Sequence, residues 1–241
     1  MPRLRRLDIA AVVFALVLPS VLTWLYFIVL QNTLSSVQQG VYTAGKVVQF
    51  GFPVFWVVAI QRARLRLKFP GRAGIIEGAL FGAAVFALML LTYFGWLKPS
   101  GSFGAPGEAI CRRVASFGVD RPLPFLTLAV FYSLIHSFFE EYYYRWFVFG
   151  QLQRFVPVAV AILISSLGFM GHHVIILGHY FGYDSWITPV FALAIAVGGA
   201  VWAWIYYRSG SLLGPWISHF FVDAAIFAIG YNVVSGTFAG P

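Results

Sequence analysis

Seven long apolar segments, separated by shorter polar connections, run along the 241-residue chain. Each segment is close to or longer than the roughly 20 residues that a helix needs to cross the hydrocarbon core of a bilayer. The pattern predicts an all-α, polytopic transmembrane helical bundle of seven to eight helices, the eighth being a short surface helix at 107–117. The seven segments cover residues 9–30, 42–60, 74–97, 123–149, 156–177, 186–207 and 212–234.

Composition supports a membrane protein and opposes a nucleic-acid-binding one. The chain is 60% hydrophobic and 10% charged, whereas a soluble domain is about 45–50% apolar and about 25% charged. The basic residues that produce the net charge of +8 collect beside the ends of apolar segments, notably within 3–6 and 62–72. By the positive-inside rule, this predicts a cytoplasmic N-terminus, although the basic 98–122 connection would then lie outside. We expect an integral protein of a bacterial or archaeal cell membrane, with no nucleic-acid partner.

Ionisable residues within the spans are concentrated in the fourth, fifth and seventh. An ionisable side chain at bilayer depth is costly, and marks a functional site by default. The concentration predicts an active site in the C-terminal half of the bundle. These residues are His136, Glu140, Glu141, Arg145, His172, His173, His219 and Asp223.

Helical spacing divides the two adjacent glutamates. Glu141 and Arg145 are i,i+4 and can form an ion pair within one helix. Glu140 lies about 100° away around the helix, on the same stripe as His136. We therefore expect Arg145 to neutralise Glu141, and Glu140 alone to turn toward the histidines of the fifth and seventh spans. The neighbouring tyrosines at 142–144 are expected to face lipid.

Glu140, His173 and His219 would supply one carboxylate and two imidazoles from three helices. Asp223, at i,i+4 from His219, could orient that imidazole. Such a set suits a carboxylate that activates water beside oxyanion donors, or a metal that polarises the same water. Both reactions hydrolyse an amide or an ester. The His-Glu-x-x-His signature of the commonest metalloproteases is missing, and Cys111, the one cysteine, allows no thiolate cluster.

Three motifs, in order and spacing, resemble the CAAX protease and bacteriocin-processing family, also called Abi or type II CAAX prenyl endopeptidases. The resemblance covers roughly residues 123–235, which would form the catalytic core of a single membrane domain spanning 1–241. Residues 1–122 would then be accessory spans. The motifs are Glu140-Glu141-x-x-x-Arg145, Phe169-x-x-x-His173 and His219-x-x-x-Asp223.

The resemblance implies an intramembrane endopeptidase that cleaves a membrane-associated or lipidated protein or peptide. Glu140 and His173 would activate the water, while His219 and Asp223 would stabilise the oxyanion. The family often has Asn where this chain has Asp223, and an ionised Asp cannot donate a hydrogen bond. Asp223 would therefore be protonated, act through His219, or bind a metal.

The same resemblance assigns supporting roles and leaves the cofactor open. Glu141, Arg145 and Phe169 would support the geometry, and His136 would act through Glu140. No cofactor is required by the motifs. A divalent metal such as zinc would be held by the four residues assigned to catalysis, Glu140, His173, His219 and Asp223.

Two other functions are compatible with intramembrane ionisable residues. One is a proton-coupled carrier in which Glu140, His173 and His219 form a relay. Carriers usually show internal repeats with broken helices in matching halves, whereas here the ionisable residues favour the C-terminal half. The other is a catalytically inactive relative that serves as an immunity or scaffold protein. The sequence indicates neither the substrate nor the oligomeric state.

Overall fold

The computed structural model describes residues 2–63 and 72–238, with side chains described from residue 5 and excluding that of residue 73. Most of the predicted basic connection at 62–72, and the side chain of Arg3, lie outside this part. Within it the chain is helical and contains seven helices long and apolar enough to cross a membrane. The prediction of an all-α polytopic membrane protein is confirmed. The spans are Arg5–Val29, Ser35–Ile60, Gly74–Leu97, Pro122–Leu152, Val158–Phe181, Ile187–Ser209 and Leu213–Thr237.

Ten α-helical segments build these spans and the surface helix. Helices α1, α2 and α3 each continue into a wider π-helical turn, at Leu25–Val29, Trp56–Ile60 and Tyr93–Leu97. The helices are α1 Pro2–Trp24, α2 Ser35–Phe55, α3 Arg72–Thr92, α4 Gly104–Ser116, α5 Pro122–Val130, α6 Ser137–Glu141, α7 Gly150–Leu152, α8 Val158–Phe181, α9 Ile187–Ser209 and α10 Leu213–Val234.

The second span begins earlier than the sequence predicted. Its expected start was residue 42, after a polar stretch, but α2 begins at Ser35. The buried Gln38 amide donates a hydrogen bond to the Tyr26 carbonyl, with an N–O distance of 2.6 Å. Because the polar side chains of this turn are uncharged and Gln38 has a partner, the helix can extend beyond the apolar run.

The residues pack as two compact units, each formed by two stretches of chain. The first unit comprises Met1–Phe69 and Tyr142–Tyr207, and the second comprises Pro70–Glu141 and Arg208–Pro241. The chain passes from the second unit to the first directly after Glu141, inside the fourth span. The two units are defined by packing and not by function. The predicted division into accessory spans at 1–122 and a catalytic core at 123–235 therefore stays a prediction.

In the first unit, a buried carboxylate joins the ends of three spans. Asp8 Oδ1 accepts hydrogen bonds from Trp56 Nε1 at 3.0 Å and Gln61 Nε2 at 2.8 Å. Asp8 Oδ2 lies 3.0 Å from Arg154 Nη2, and Gln151 Oε1 accepts from both Arg154 and Gln61. The charge of Asp8 is therefore satisfied by a cation and two neutral donors, as a buried ion requires.

In the second unit, glycines of α3 allow close contact with α10. A Cβ at Gly78 would collide with the backbone of Gly214, and one at Gly82 would lie 2.8 Å from the Ser218 Cα. Small residues let membrane helices approach closely enough for their backbones to touch. Since Ser218 directly precedes His219, this contact helps to fix the position of the histidine.

Candidate active site

The two glutamates lie on one α-helical turn between two π-helical segments. Helix α6, Ser137–Glu141, follows the wide turn Phe131–His136 and precedes the wide turn Tyr142–Phe149. Wide turns of this kind are frequent at functional sites. Because the turns on both sides are wider, the α-helical spacing of 100° per residue applies only within α6.

Side chains satisfy carbonyl groups in the wide turn before the glutamates. The Ser137 hydroxyl donates to the Ser133 carbonyl, and Trp216 Nε1 donates to the Leu134 carbonyl over 2.9 Å. Trp216 belongs to the first turn of α10 and lies three residues before His219. This hydrogen bond therefore joins the helix that bears the glutamates to the helix that bears the histidine. The sequence analysis missed Trp216 because nothing in an apolar run distinguishes a tryptophan with such a partner.

His219 is held by the second glutamate. Its Nδ1 lies 2.8 Å from Glu141 Oε1, and a carboxylate oxygen can only accept, so Nδ1 carries the proton. Glu141 is 0% exposed and His219 4% exposed. The contact fixes the orientation of the imidazole and directs Nε2 to the other side, as a carboxylate does for a catalytic histidine.

The expectation that Glu140 alone would turn toward the histidines is therefore wrong. Glu140 and Glu141 are neighbours in the helix, so their side chains point about 100° apart. This angle is small enough for one residue of another helix to contact both carboxylates. An imidazole that lies between the two carboxylates can contact both of them, as His219 does. The sequence could not show this, because it depends on where α10 packs against α6.

Three further ionisable groups lie near the hydrogen-bonded pair of Glu141 and His219. Nε2 of His219 lies 3.7 Å from Glu140 Oε2 and 3.7 Å from Asp223 Oδ1. Glu140 Oε2 also lies 3.9 Å from His136 Nδ1. These distances allow electrostatic attraction but exceed the length of a hydrogen bond. A bridging molecule or a small movement is therefore needed before a proton can pass between these groups.

His173 and Phe169 belong to α8 in the first unit. His173 Nδ1 lies 2.8 Å from the Phe169 carbonyl oxygen, which can only accept, so Nδ1 carries the proton. In the neutral ring, Nε2 then bears the lone pair. Phe169 contacts His173 through this backbone oxygen and through its ring, whose centroid is 4.7 Å from the imidazole centroid. Its supporting role in the site stays a prediction.

Arg145, also in the first unit, is enclosed by aromatic rings. The guanidinium carbon lies 4.8 Å from the ring centroid of Phe169 and 5.1 Å from that of Trp202. Nη2 donates to the Gly199 carbonyl over 3.3 Å. With only 1% of the residue exposed, the cation is stabilised by ring faces and a backbone dipole. The ion pair of Arg145 with Glu141 stays a prediction.

The tyrosines beside the site do not face lipid as the sequence suggested. Tyr143 and Tyr144 are both 0% exposed. The Tyr143 hydroxyl donates to the Ala15 carbonyl over 2.8 Å, and the Tyr144 hydroxyl is 3.2 Å from His172 Nδ1. Each phenol has a polar partner inside the first unit, which makes burial favourable. His172 therefore packs against Tyr144, with the two rings stacked at a centroid distance of 6.0 Å.

The divalent metal that the sequence left open has no matching ligand group in the described part of the chain. Among the described residues, no three His, Cys, Asp or Glu side chains have an arrangement that could hold a metal ion. Zinc needs ligand atoms about 2.0–2.3 Å from one point. No step below is therefore assigned to a metal, and the zinc prediction stays a prediction.

Comparison with known proteins identifies the segment that carries the site. Residues 122–225 match the family model described as "Type II CAAX prenyl endopeptidase Rce1-like". This segment is similar to that family. The match confirms the resemblance inferred from the motifs, and the description of the matched family is that of an endopeptidase. All the residues assigned to catalysis, from Glu140 to Asp223, lie inside the matched range. No curated protein and no solved structure gave a significant match.

Proposed function

We propose that this protein is an intramembrane endopeptidase that uses Glu140 to activate water against a peptide bond of a membrane-associated or lipidated substrate. One observation carries the proposal: buried Glu140 lies 3.7 Å from an imidazole whose other nitrogen is held by Glu141. A base and a potential oxyanion donor thus lie side by side in a water-poor setting. Hydrogen bonds to developing charge are strongest in such a setting.

Glu140 begins the reaction as a general base. Its carboxylate takes one proton from a water molecule while the water oxygen forms a bond to the peptide carbonyl carbon. The π electrons of the carbonyl move onto its oxygen, and a tetrahedral oxyanion results. The resemblance adds His173 as the residue that orients the water, and this assignment rests on the sequence.

His219 stabilises the oxyanion and Glu140 completes the reaction. When His219 is protonated, Nε2–H can donate to the oxyanion, while Glu141 retains the hydrogen bond to Nδ1–H. Asp223 favours this charged imidazole by attraction over 3.7 Å, which gives an aspartate a role without requiring it to donate. The intermediate then collapses, the C–N bond breaks, and the proton on Glu140 passes to the departing amine.

Replacing Glu140 tests the mechanism. We expect Glu140→Gln to reduce kcat by about 10²–10⁴-fold, because a positioned general base contributes about that much. Substrates would be found by comparing the new protein N-termini in membranes of cells that express the wild type or the variant. A cleaved sequence would then be assayed with purified enzymes.

A matched control distinguishes the loss of the catalytic base from the general effect of replacing a carboxylate by an amide. Asp184→Asn makes the same change at an exposed position and should cleave at the wild-type rate. If Glu140→Gln folds like the wild type and still cleaves at that rate, Glu140 is not the base. Metal content and the effect of a chelator, measured on the same preparations, test the zinc prediction.

A proton-coupled carrier is the second candidate, favoured by the chain of separations just described. His136, Glu140, His219 and Asp223 follow one another at 3.9, 3.7 and 3.7 Å, as proton relays in membranes do. If the protein were a carrier, a substrate gradient across liposomes that contain the wild type would change the pH inside them. A cleavage product without proton flux favours the peptidase.

A further inference from the structure

A second polar site lies in the second unit and includes none of the residues assigned to catalysis. It is an open groove of about 640 Å³ between the C-terminal end of α3, the surface helix α4 and the C-terminal end of α10. Its lining combines basic, acidic and apolar side chains, the acidic one being Glu108. The residues that define it are Tyr93, Lys98, Phe103, Arg112, Asn232 and Val233.

The polar wall presents donors. Asn232 Oδ1 accepts hydrogen bonds from the Tyr93 hydroxyl at 3.1 Å and from Lys98 Nζ at 2.9 Å. An ammonium group has three N–H donors, so Lys98 retains two for a ligand. Its position is fixed by Asn232 and by the Phe94 ring, whose centroid is 5.6 Å from Nζ. The site therefore offers an ordered cation.

Arg112 adds a second cation to the same wall. Its nearest acidic partner, Glu108, is 3.7 Å away, and both side chains are more than 70% exposed. Such exposed ion pairs contribute little, so a stronger anion can replace Glu108 as the partner of Arg112. A phosphate suits this arrangement, because it accepts charge-assisted hydrogen bonds from both guanidinium and ammonium groups.

Part of the lining is apolar. The Phe103 ring lies edge-on against the buried ring of Tyr93, with centroids 5.1 Å apart. Val233 lies against Gly107 of α4, where an added Cβ would be 3.3 Å from the valine. A small soluble anion would leave this surface unused, whereas a lipid would cover it with its glycerol and first methylene groups.

The position along the spans also indicates a lipid. The groove lies where two spans end and an amphipathic surface helix begins, which is the depth of the lipid headgroups. Exposed aromatic side chains of the adjoining turn, Phe94 and Trp96, are typical of this depth. Basic residues beside the ends of membrane helices bind anionic headgroups.

We propose that this groove binds an anionic phospholipid, with its phosphate at Lys98 and Arg112 and its apolar part against Tyr93, Phe103 and Val233. The proposal gives a ligand to two of the basic residues, Lys98 and Arg112, in a connection predicted to lie outside. It does not depend on the peptidase reaction.

The only cysteine of the chain provides a local probe. Cys111 lines the groove and is partly exposed, so a bound lipid should shield it from alkylation. The full-length protein would be placed in nanodiscs of phosphatidylcholine with increasing fractions of phosphatidylglycerol carrying the same acyl chains. We expect the rate of maleimide labelling at Cys111 to fall as phosphatidylglycerol increases, and not in phosphatidylcholine alone.

Substitutions distinguish a site from diffuse charge. Lys98→Gln and Arg112→Gln should each raise the phosphatidylglycerol fraction needed for half-maximal protection by about fivefold, the effect of losing one cation near an anionic surface. Arg121→Gln removes the same charge from the same connection, outside the groove, and should leave the midpoint unchanged. Arg112→Lys should retain most of the protection, which separates charge from folding.

Three results would overturn the proposal. They are equal protection by phosphatidylcholine, an equal shift with Arg121→Gln, and full protection by inorganic phosphate in nanodiscs that lack phosphatidylglycerol. The last result would mean that the site binds a soluble anion.

Discussion

Two buried charged sites to which the fourth span contributes are stabilised in different ways. In the second unit, the imidazole of His219 lies among three carboxylates at 2.8, 3.7 and 3.7 Å. In the first unit, Arg145 lies against ring faces and a backbone carbonyl. Aromatic rings and backbone carbonyl groups do not titrate, whereas carboxylates and imidazoles can gain and lose protons. The arrangement around His219 is suited to proton transfer, and the arrangement around Arg145 is suited to holding a charge in one place.

This difference gives each adjoining residue a separate role. Glu141 is the last residue of the first of the two stretches that form the second unit. Its carboxylate fixes which nitrogen of His219 is protonated. Arg145 cannot lose its proton in a protein, so its contribution is structural. Substitutions in the two sites should therefore affect different quantities, catalytic rate in one and stability in the other.

Among residues that do not themselves act on the water, the largest effect is expected at Glu141. Glu141→Gln keeps the size of the side chain but replaces the carboxylate that holds His219 Nδ1–H. The amide can present either its oxygen or its NH₂ group, so the orientation and charged form of the imidazole are no longer favoured. We expect kcat to fall by about 10³-fold with KM little changed, as when a catalytic histidine loses its carboxylate.

The control and the contrary result are both measurable. Asp184→Asn should show wild-type kcat and KM. If Glu141→Gln changed only KM, or lowered cleavage by less than about threefold, Glu141 would not act by orienting His219.

The next effect tests whether backbone packing positions His219. Gly82→Ala places a Cβ 2.8 Å from the Ser218 Cα, so α3 or α10 must shift. A displacement of a fraction of an ångström next to His219 should lower kcat by about tenfold, together with a loss of about 1–3 kcal/mol in stability.

Gly95→Ala is the matched control for that substitution. It makes the same change in the same span, at a position with no atom within 4 Å of the added Cβ. It should leave cleavage and thermal unfolding close to those of the wild type. Because alanine favours a helix more than glycine does, equal losses in the two variants would show that the contact with Ser218 is not the cause.

Sequence reasoning worked where it depended on one helix at a time. The seven spans follow from the lengths of apolar runs, and the i,i+4 pairs His136–Glu140 and His219–Asp223 occur at 3.9 and 3.7 Å. The motif spacing also identified the segment that the family comparison matches. Each of these features is determined by residues close together in the chain.

It failed where a partner comes from another part of the chain. The contact of Glu141 with His219 joins residues 78 positions apart, and Trp216 reaches a carbonyl 82 positions away. Tyr143 and Tyr144 were assigned to lipid because an aromatic run in a span has no local sign of burial. Asp8 lies just before the predicted first span, and its sequence position does not reveal that it is a buried hydrogen-bonding centre. Tertiary packing decides all of these.

The smallest effect on cleavage is expected at Arg145. Arg145→Lys keeps the positive charge but removes the planar group that lies on Phe169 and Trp202 and donates to Gly199. We expect a loss of about 1–3 kcal/mol in stability from the weaker ring contact and hydrogen bond. The kcat of the folded fraction should stay within about threefold of the wild type, because no proton moves at this residue. Thermal unfolding and kcat, measured on the same preparation, check both parts. If kcat fell as far as in Glu141→Gln while stability was unchanged, the two sites would not have separate roles, and Arg145 would have to take part in the reaction.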